Sequence, residues 1–137
     1  MTAETLSSRY EAGLKRYEEG APLDEVLAEF ETMHLEAPND ARILVSLSWL
    51  HLMLEHKDQA IAFSKKAKGT AQGRYNLALA QLTFKEKGVR QTLEEAVRLG
   101  GHDGLHDAMD NLEDAIKRKG GSYPAAERML EWLKEMH

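Results

Sequence analysis

Six histidines are the side chains best suited to chemistry in this 137-residue chain, which contains no cysteine. His102 and His106 stand four residues apart among Asp103, Asp107 and Asp110, so a His–His or His–Asp pair can share a helical face and hold a divalent ion. A closed site needs three or four ligands, and His102, His106 and Asp110 together span about 12 Å, too far for one ion. An acidic first turn, favourable to the helix dipole, accounts for these residues without a metal. His51, Glu55 and His56 lack the spacing of a zinc-protease helix in either orientation; His51 and Glu55 make an ordinary pair one turn apart. The paired glycines close helices rather than follow strands, which excludes a phosphate loop, and no serine lies in Gly-x-Ser-x-Gly. Without cysteine there are no disulfides, thiolate nucleophiles or thiolate zinc sites. The expectation is a protein with no catalytic residue, no metal ligand and no cofactor.

Charge excludes further classes. The net charge of −5 argues against a general nucleic-acid binder. It is unevenly spread: residues 1–40 carry three basic and ten acidic side chains, residues 41–100 ten and five, residues 101–137 five and eight. Lys65, Lys66 and Lys68, and again Lys117, Arg118 and Lys119, fall at predicted helix C-termini, where cations stabilise by a few tenths to about 1 kcal/mol. They can also steer an acidic partner. The most apolar stretch, residues 43–54, is too short for a membrane span and is broken by Ser46, Ser48 and His51. Residues 1–5 lack the basic start and apolar run of a signal peptide. A cytoplasmic protein of one domain, 1–137, is expected, with no membrane or nucleic-acid partner.

The elements that would position any site are helices. Only three prolines occur, at 22, 38 and 124, and each stands where a helix can start or has stopped. No stretch alternates apolar and polar residues as a strand does. The punctuation predicts eight helices: about 3–19, 22–37, 40–55, 58–69, 71–87, 89–99, 103–119 and 122–137. Asn39 or Asp40 caps the third, Asp58 the fourth and Ser122 the eighth; Gly20, Gly69, Gly88, Gly100-Gly101 and Gly120-Gly121 close others. Turns of two to four residues between short helices demand consecutive antiparallel hairpins.

The pattern also repeats. A shift of 34 residues aligns Tyr10 with Leu44, Tyr17 with His51, Val26 with Ala60, Leu27 with Ile61 and Met33 with Ala67. With Leu47-Ser48 as a large–small pair, Ala60-Ile61 opening the next helix, Ala67 seven residues later and Pro38-Asn39-Asp40 at a unit boundary, the chain resembles the tetratricopeptide-repeat family. Tyr75-Asn76-Leu77-Ala78 and Tyr123-Pro124-Ala125-Ala126-Glu127 are similar to the family's first helix and its turn. The segment Lys87-Gly88-Val89-Arg90-Gln91 looks more like a Sel1-type turn. Gly13-Leu14 reverses the large–small order, Leu47 and Leu77 are 30 residues apart rather than 34, and the fourth unit has no clear pair. A generic helical bundle is the alternative.

The resemblance implies an all-α solenoid, a right-handed superhelix of four helix pairs in units 3–38, 39–69, 71–100 and 102–137, with first helices lining a concave groove. Arg42, Val45, Ser46, Trp49 and Leu52 or Met53 would line it from the third helix. Gln72, Tyr75, Asn76, Leu79 and Leu82 would do so from the fifth, and Ser8, Glu11, Ala12, Lys15 and Glu18 from the first. The expected partner-binding set is Arg42, Val45, Trp49, Leu52, Tyr75, Asn76, Leu79 and Leu82. Only Asn76 and Arg42 suit the terminal-carboxylate grip that some family members use, so an amphipathic helix or an extended segment with apolar anchors is the expected ligand. Trp49 is either partner-facing or core beneath the last helix, whose Met129, Leu130, Trp132, Leu133 and Met136 form too broad an apolar set for one stripe. The functional expectation is a protein-binding adapter or chaperone-like holder. The alternative is a scaffold that self-assembles through the ends of its repeat stack, as a homo-oligomer.

Overall fold

The computed structural model describes residues 5–136, and every regular element among them is an α-helix. Local capping explains most of the starts. Thr5 Oγ1 accepts the Ser8 N–H at 3.0 Å and opens α1 (Leu6–Glu18); the expected start at residue 3 lies outside the described residues. Pro22 immediately precedes α2 (Leu23–Glu36), its φ already near helical. The Asp40 carboxylate accepts the Arg42 N–H at 2.9 Å at the head of α3 (Ala41–Met53). Asp58 does not cap α4 (Lys57–Lys66); His56 holds that position, and Asp58 lies in the first turn, where its charge meets the helix dipole. Thr70 Oγ1 accepts the Gly73 N–H at 3.0 Å and opens α5 (Ala71–Thr83). Pro124 begins α7 (Pro124–Met136), and the Glu127 carboxylate reaches back to the Tyr123 N–H at 3.1 Å.

The expected count of eight helices is corrected to seven among the described residues. The predicted sixth and seventh run together as α6 (Val89–Arg118), with an interruption at Gly101. Gly101 has φ 63 and ψ −157, a region open essentially to glycine alone. The chain therefore bends within one residue and needs no loop there.

Consecutive helices pack against each other in order, and α3 also meets α5 while α5 meets α7, so helix pairs lie stacked side by side. One apolar cluster joins α2 to α3 through Val26, Phe30, Ile43 and Leu47, with Tyr10 and Leu14 of α1 packed on its edge. The larger cluster joins α5, α6 and α7 through Leu79, Leu93, Leu105, Leu112, Met129 and Leu133. Burying each such side chain stabilises the fold by about 1.5–3 kcal/mol. At the α4–α5 turn the backbones approach so closely that a Cβ on Gly73 would lie 2.1 Å from the Ala67 carbonyl oxygen. Arg9–Glu36 and Arg16–Glu29 ion pairs join α1 to α2 at their surface, where such pairs contribute little.

Candidate partner-binding groove

A cavity of about 460 Å³ opens between α1, α3, α5 and the second half of α6. Tyr10, Leu14 and Tyr17 form its wall on α1, Val45, Ser46 and Trp49 its wall on α3, and Val26 and Phe30 of α2 its base. Gln72 and Asn76 of α5 face it, as do Asn111, Asp114 and Arg118 of α6. Positions three or four apart on each helix fall on the same side, which is why α1 and α3 each present an apolar or aromatic row.

A hydrogen-bonded clasp stands at one side of this groove. Trp49 Nε1 donates to the Tyr17 hydroxyl at 2.7 Å, and that hydroxyl donates to Asp114 Oδ2 at 2.8 Å. Arg118 Nε donates to the same Asp114 oxygen at 2.9 Å, and Arg118 Nη2 donates to the Tyr17 carbonyl oxygen at 2.7 Å. The guanidinium also lies 3.6 Å from the Tyr17 ring centroid, in cation–π contact. Burial, more than the adjacent Asp114 carboxylate, raises the Tyr17 phenol well above its usual pKa. Tyr17 is therefore a neutral donor that joins α1, α3 and α6 across the groove.

The eight residues expected at the site separate in the structure. Val45, Trp49 and Asn76 line the groove together. The Asn76 amide nitrogen donates to the Val45 carbonyl oxygen at 3.2 Å and to Ser48 Oγ at 2.9 Å, which fastens α5 to α3. Trp49 is half-buried: its N–H is engaged by Tyr17, and its ring both packs on the core and lines the groove. Arg42 is exposed beside the groove, its Nη2 3.1 Å from Asp40 Oδ2 and its guanidinium 5.0 Å from the Tyr10 ring centroid. Leu52, Tyr75 and Leu79 are 1%, 3% and 1% exposed and belong to the cluster that α6 and α7 complete. Burial raises the Tyr75 pKa to about 12, and its hydroxyl has no hydrogen-bond partner among the described residues. Leu82 is half-buried and lines a different cavity, beside the α6–α7 turn.

Sequence reasoning missed Tyr10, Tyr17, Asn111, Asp114 and Arg118. Tyr10 and Tyr17 are seven apart on one helix, and Asp114 and Arg118 are four apart, so each pair was readable as a shared face. Their meeting across 97 residues had no local signal.

The histidines lie elsewhere. His51 and His56 bring their Nδ1 atoms within 2.9 Å, and the His51 ring stacks on Phe63 at 5.5 Å, nearly parallel. The His102 and His106 rings lie 4.5 Å apart on α6. Among the described residues no group of three or more histidine, aspartate or glutamate side chains is placed to hold a metal ion. No helix among them is long and apolar enough to cross a membrane.

Helix pairs stacked around an aromatic groove define a helical-repeat type of architecture. No protein-family model matches the sequence, and no curated protein matches it. Among solved structures, the chain is similar to the type III secretion translocator chaperone SycD of Yersinia enterocolitica, crystallised as an alternative dimer. The two are 18% identical, with a TM-score of 0.55 over 98% of this chain and 96% of that one. The likeness is one of fold, and it extends over nearly the full length of both chains.

Proposed function

We propose that this chain is a non-enzymatic protein-binding module, a chaperone-like holder that receives apolar side chains of another protein in the groove between α1, α3, α5 and α6. The observation that carries the reading is the cavity of about 460 Å³ walled by Tyr10, Tyr17, Val45 and Trp49. Its walls are hydrocarbon, aromatic rings, carboxamides and the Ser46 hydroxyl, with the Asp114–Arg118 charges paired to each other and the exposed Glu18 carboxylate as a further charge. Such a lining desolvates apolar groups and orients them by a few hydrogen bonds. A helix 10–12 Å across would fill a space of this size with about one turn, so the partner presents a few anchoring side chains rather than a whole helix. Asn111 and Gln72, hydrogen-bonded to each other at 3.1 Å, stand where a partner's backbone would exchange for that contact.

The finer reading as a right-handed tetratricopeptide-like superhelix belongs to the same proposal, with units 3–38, 39–69, 71–100 and 102–137 and a cytoplasmic location. The bend at Gly101 supports it, because it would divide α6 into the second helix of one unit and the first of the next. The overall similarity to a translocator chaperone supports a holding role. Within the expected set, Val45, Trp49 and Asn76 are the proposed contacts, with Arg42 at the rim. Leu52, Tyr75 and Leu79 would shape the walls behind them, while Leu82 stands at the separate cavity beside the α6–α7 turn.

Selection of a random peptide library on the purified chain tests this reading. Selected peptides should share apolar anchors at a fixed spacing. Val45→Asp and Trp49→Ala, each with an unchanged far-ultraviolet circular dichroism spectrum, should weaken them by about 30-fold, or roughly 2 kcal/mol. Equal affinity for both folded variants would remove the groove as the site. Self-assembly remains the second reading because Leu35 is 81% exposed on α2. A monomer mass independent of concentration in light scattering would end it.

A further inference from the structure

A second cavity, of about 450 Å³, shares no lining residue with the groove. It forms where the C-terminal ends of α3, α5 and α6 meet the start of α7. Leu82, Tyr123 and Pro124 give it an apolar floor, and Lys85, Lys119 and Arg128 stand in its wall against one carboxylate, Glu55. In a chain of net charge −5 this is a local concentration of positive charge. Lys119 is committed: its Nζ donates to the Met53 carbonyl oxygen at 3.1 Å and lies 3.6 Å from Glu55. The side chains of Lys85 and Arg128 make no ion pair or hydrogen bond among the described residues, and the Arg128 guanidinium rests 5.1 Å from the Trp132 ring centroid.

The backbone supplies an independent observation. The residue after the C-cap is left-handed at four helix ends: Gly20 after α1, Glu55 after α3, Lys85 after α5 and Gly120 after α6. Glycine adopts that conformation without strain, and two of the four ends use it. The other two, Glu55 at φ 62 and Lys85 at φ 58, carry long charged side chains there, and both side chains line this cavity. They are the non-glycine residues of positive φ among the described residues. Glu55 has a structural task, since it holds Lys119. The left-handed Lys85 backbone closes α5, with the Glu86 N–H donating to the Gln81 carbonyl oxygen at 2.7 Å, but glycine would serve there equally, and the Lys85 ammonium has no partner among the described residues.

We propose that this cavity is a docking site for an acidic protein segment in which carboxylates flank an apolar residue. The apolar side chain rests on Leu82, Tyr123 and Pro124. Arg128 receives one carboxylate through its forked N–H groups, and Lys85 receives another as a point charge. The site is separate from the groove, so it stands or falls independently of the function proposed above.

Fluorescence anisotropy with a labelled peptide of alternating glutamate and leucine tests the proposal, with a lysine–leucine peptide as the charge-inverted control. The full chain should bind the acidic peptide saturably, more weakly as salt rises, and should not bind the inverted one. The double variant Lys85→Gly, Arg128→Gln should bind it at least about tenfold more weakly. Lys85→Gly relieves the left-handed strain, so the loss is expected with an unchanged thermal midpoint or a higher one. Trp49→Ala should leave this affinity unchanged. Undiminished binding by the double variant, no saturable binding by the wild type, or equal binding of the inverted peptide would each overturn the proposal. So would a single-stranded oligonucleotide or phosphatidylserine vesicles that bind through Lys85 and Arg128 where the acidic peptide does not.

Discussion

Tyr17 shows how much one side chain can carry. Its hydroxyl accepts from Trp49 and donates to Asp114, while its carbonyl and ring engage Arg118. Tyr17→Phe removes two hydrogen bonds and leaves the Trp49 N–H without its partner. A loss of about 1–2 kcal/mol is expected by urea denaturation. His51 sets the expected response to acid. Its pKa lies below the ordinary 6.5, first because it is buried and then because His56 stands beside it; Glu31 opposes the shift weakly. Such a histidine binds its proton more weakly folded than unfolded, so acid favours the unfolded chain. The stabilisation is complete above 6.5 and is lost as pH falls below that value toward the lowered pKa. The urea midpoint should therefore drop between about pH 7.5 and pH 5.5, and His51→Gln should flatten that drop.

Elements were the most legible scale, because helix ends are decided within a few residues. Asp40, Pro22, Gly20 and Pro124 act through their own backbone preferences and hydrogen bonds, so their positions could be read directly. The misjudged cap at Asp58 and the fused α6 have the same origin. A side chain's type does not say which of two adjacent turns closes first, and a glycine can end a helix or merely bend it. Close approach between elements was not legible at all. Gly73 looks like an unfavourable residue inside a helix, yet a Cβ there would meet the Ala67 carbonyl carbon at 2.6 Å and its oxygen at 2.1 Å. Gly73→Ala should therefore destabilise by about 2–3 kcal/mol despite alanine's better helix propensity. A thermal midpoint at or above that of the wild type would show that the α4–α5 turn has room to open.

At the scale of the whole molecule, α1 packs its length on α2 and reaches α3 and α6 through the side chains of the clasp. Repeat stacks hold each unit mainly by its neighbours, so a contact between residues 17 and 114 joins parts that would otherwise move apart. Arg118→Ala should raise amide hydrogen exchange in α1 while leaving the α5–α7 cluster protected. Equal exchange in both proteins would mean that α2 alone holds α1. Much of this molecule was determined by its sequence alone: an all-helical chain, most helix ends, the stacking of pairs, and Val45, Trp49 and Asn76 as residues sharing a groove. Periodicity, caps and turn residues act locally, and a repeat needs only itself and its neighbour to declare them. Only the tertiary structure decided which apolar faces stay open. Leu52, Tyr75 and Leu79 have the same spacing as Val45 and Trp49, but the helices after the Gly101 bend bury them, while α1 is held far enough from α6 to leave a groove. An apolar stripe states that a face must be covered; the path of the remaining chain determines what covers it.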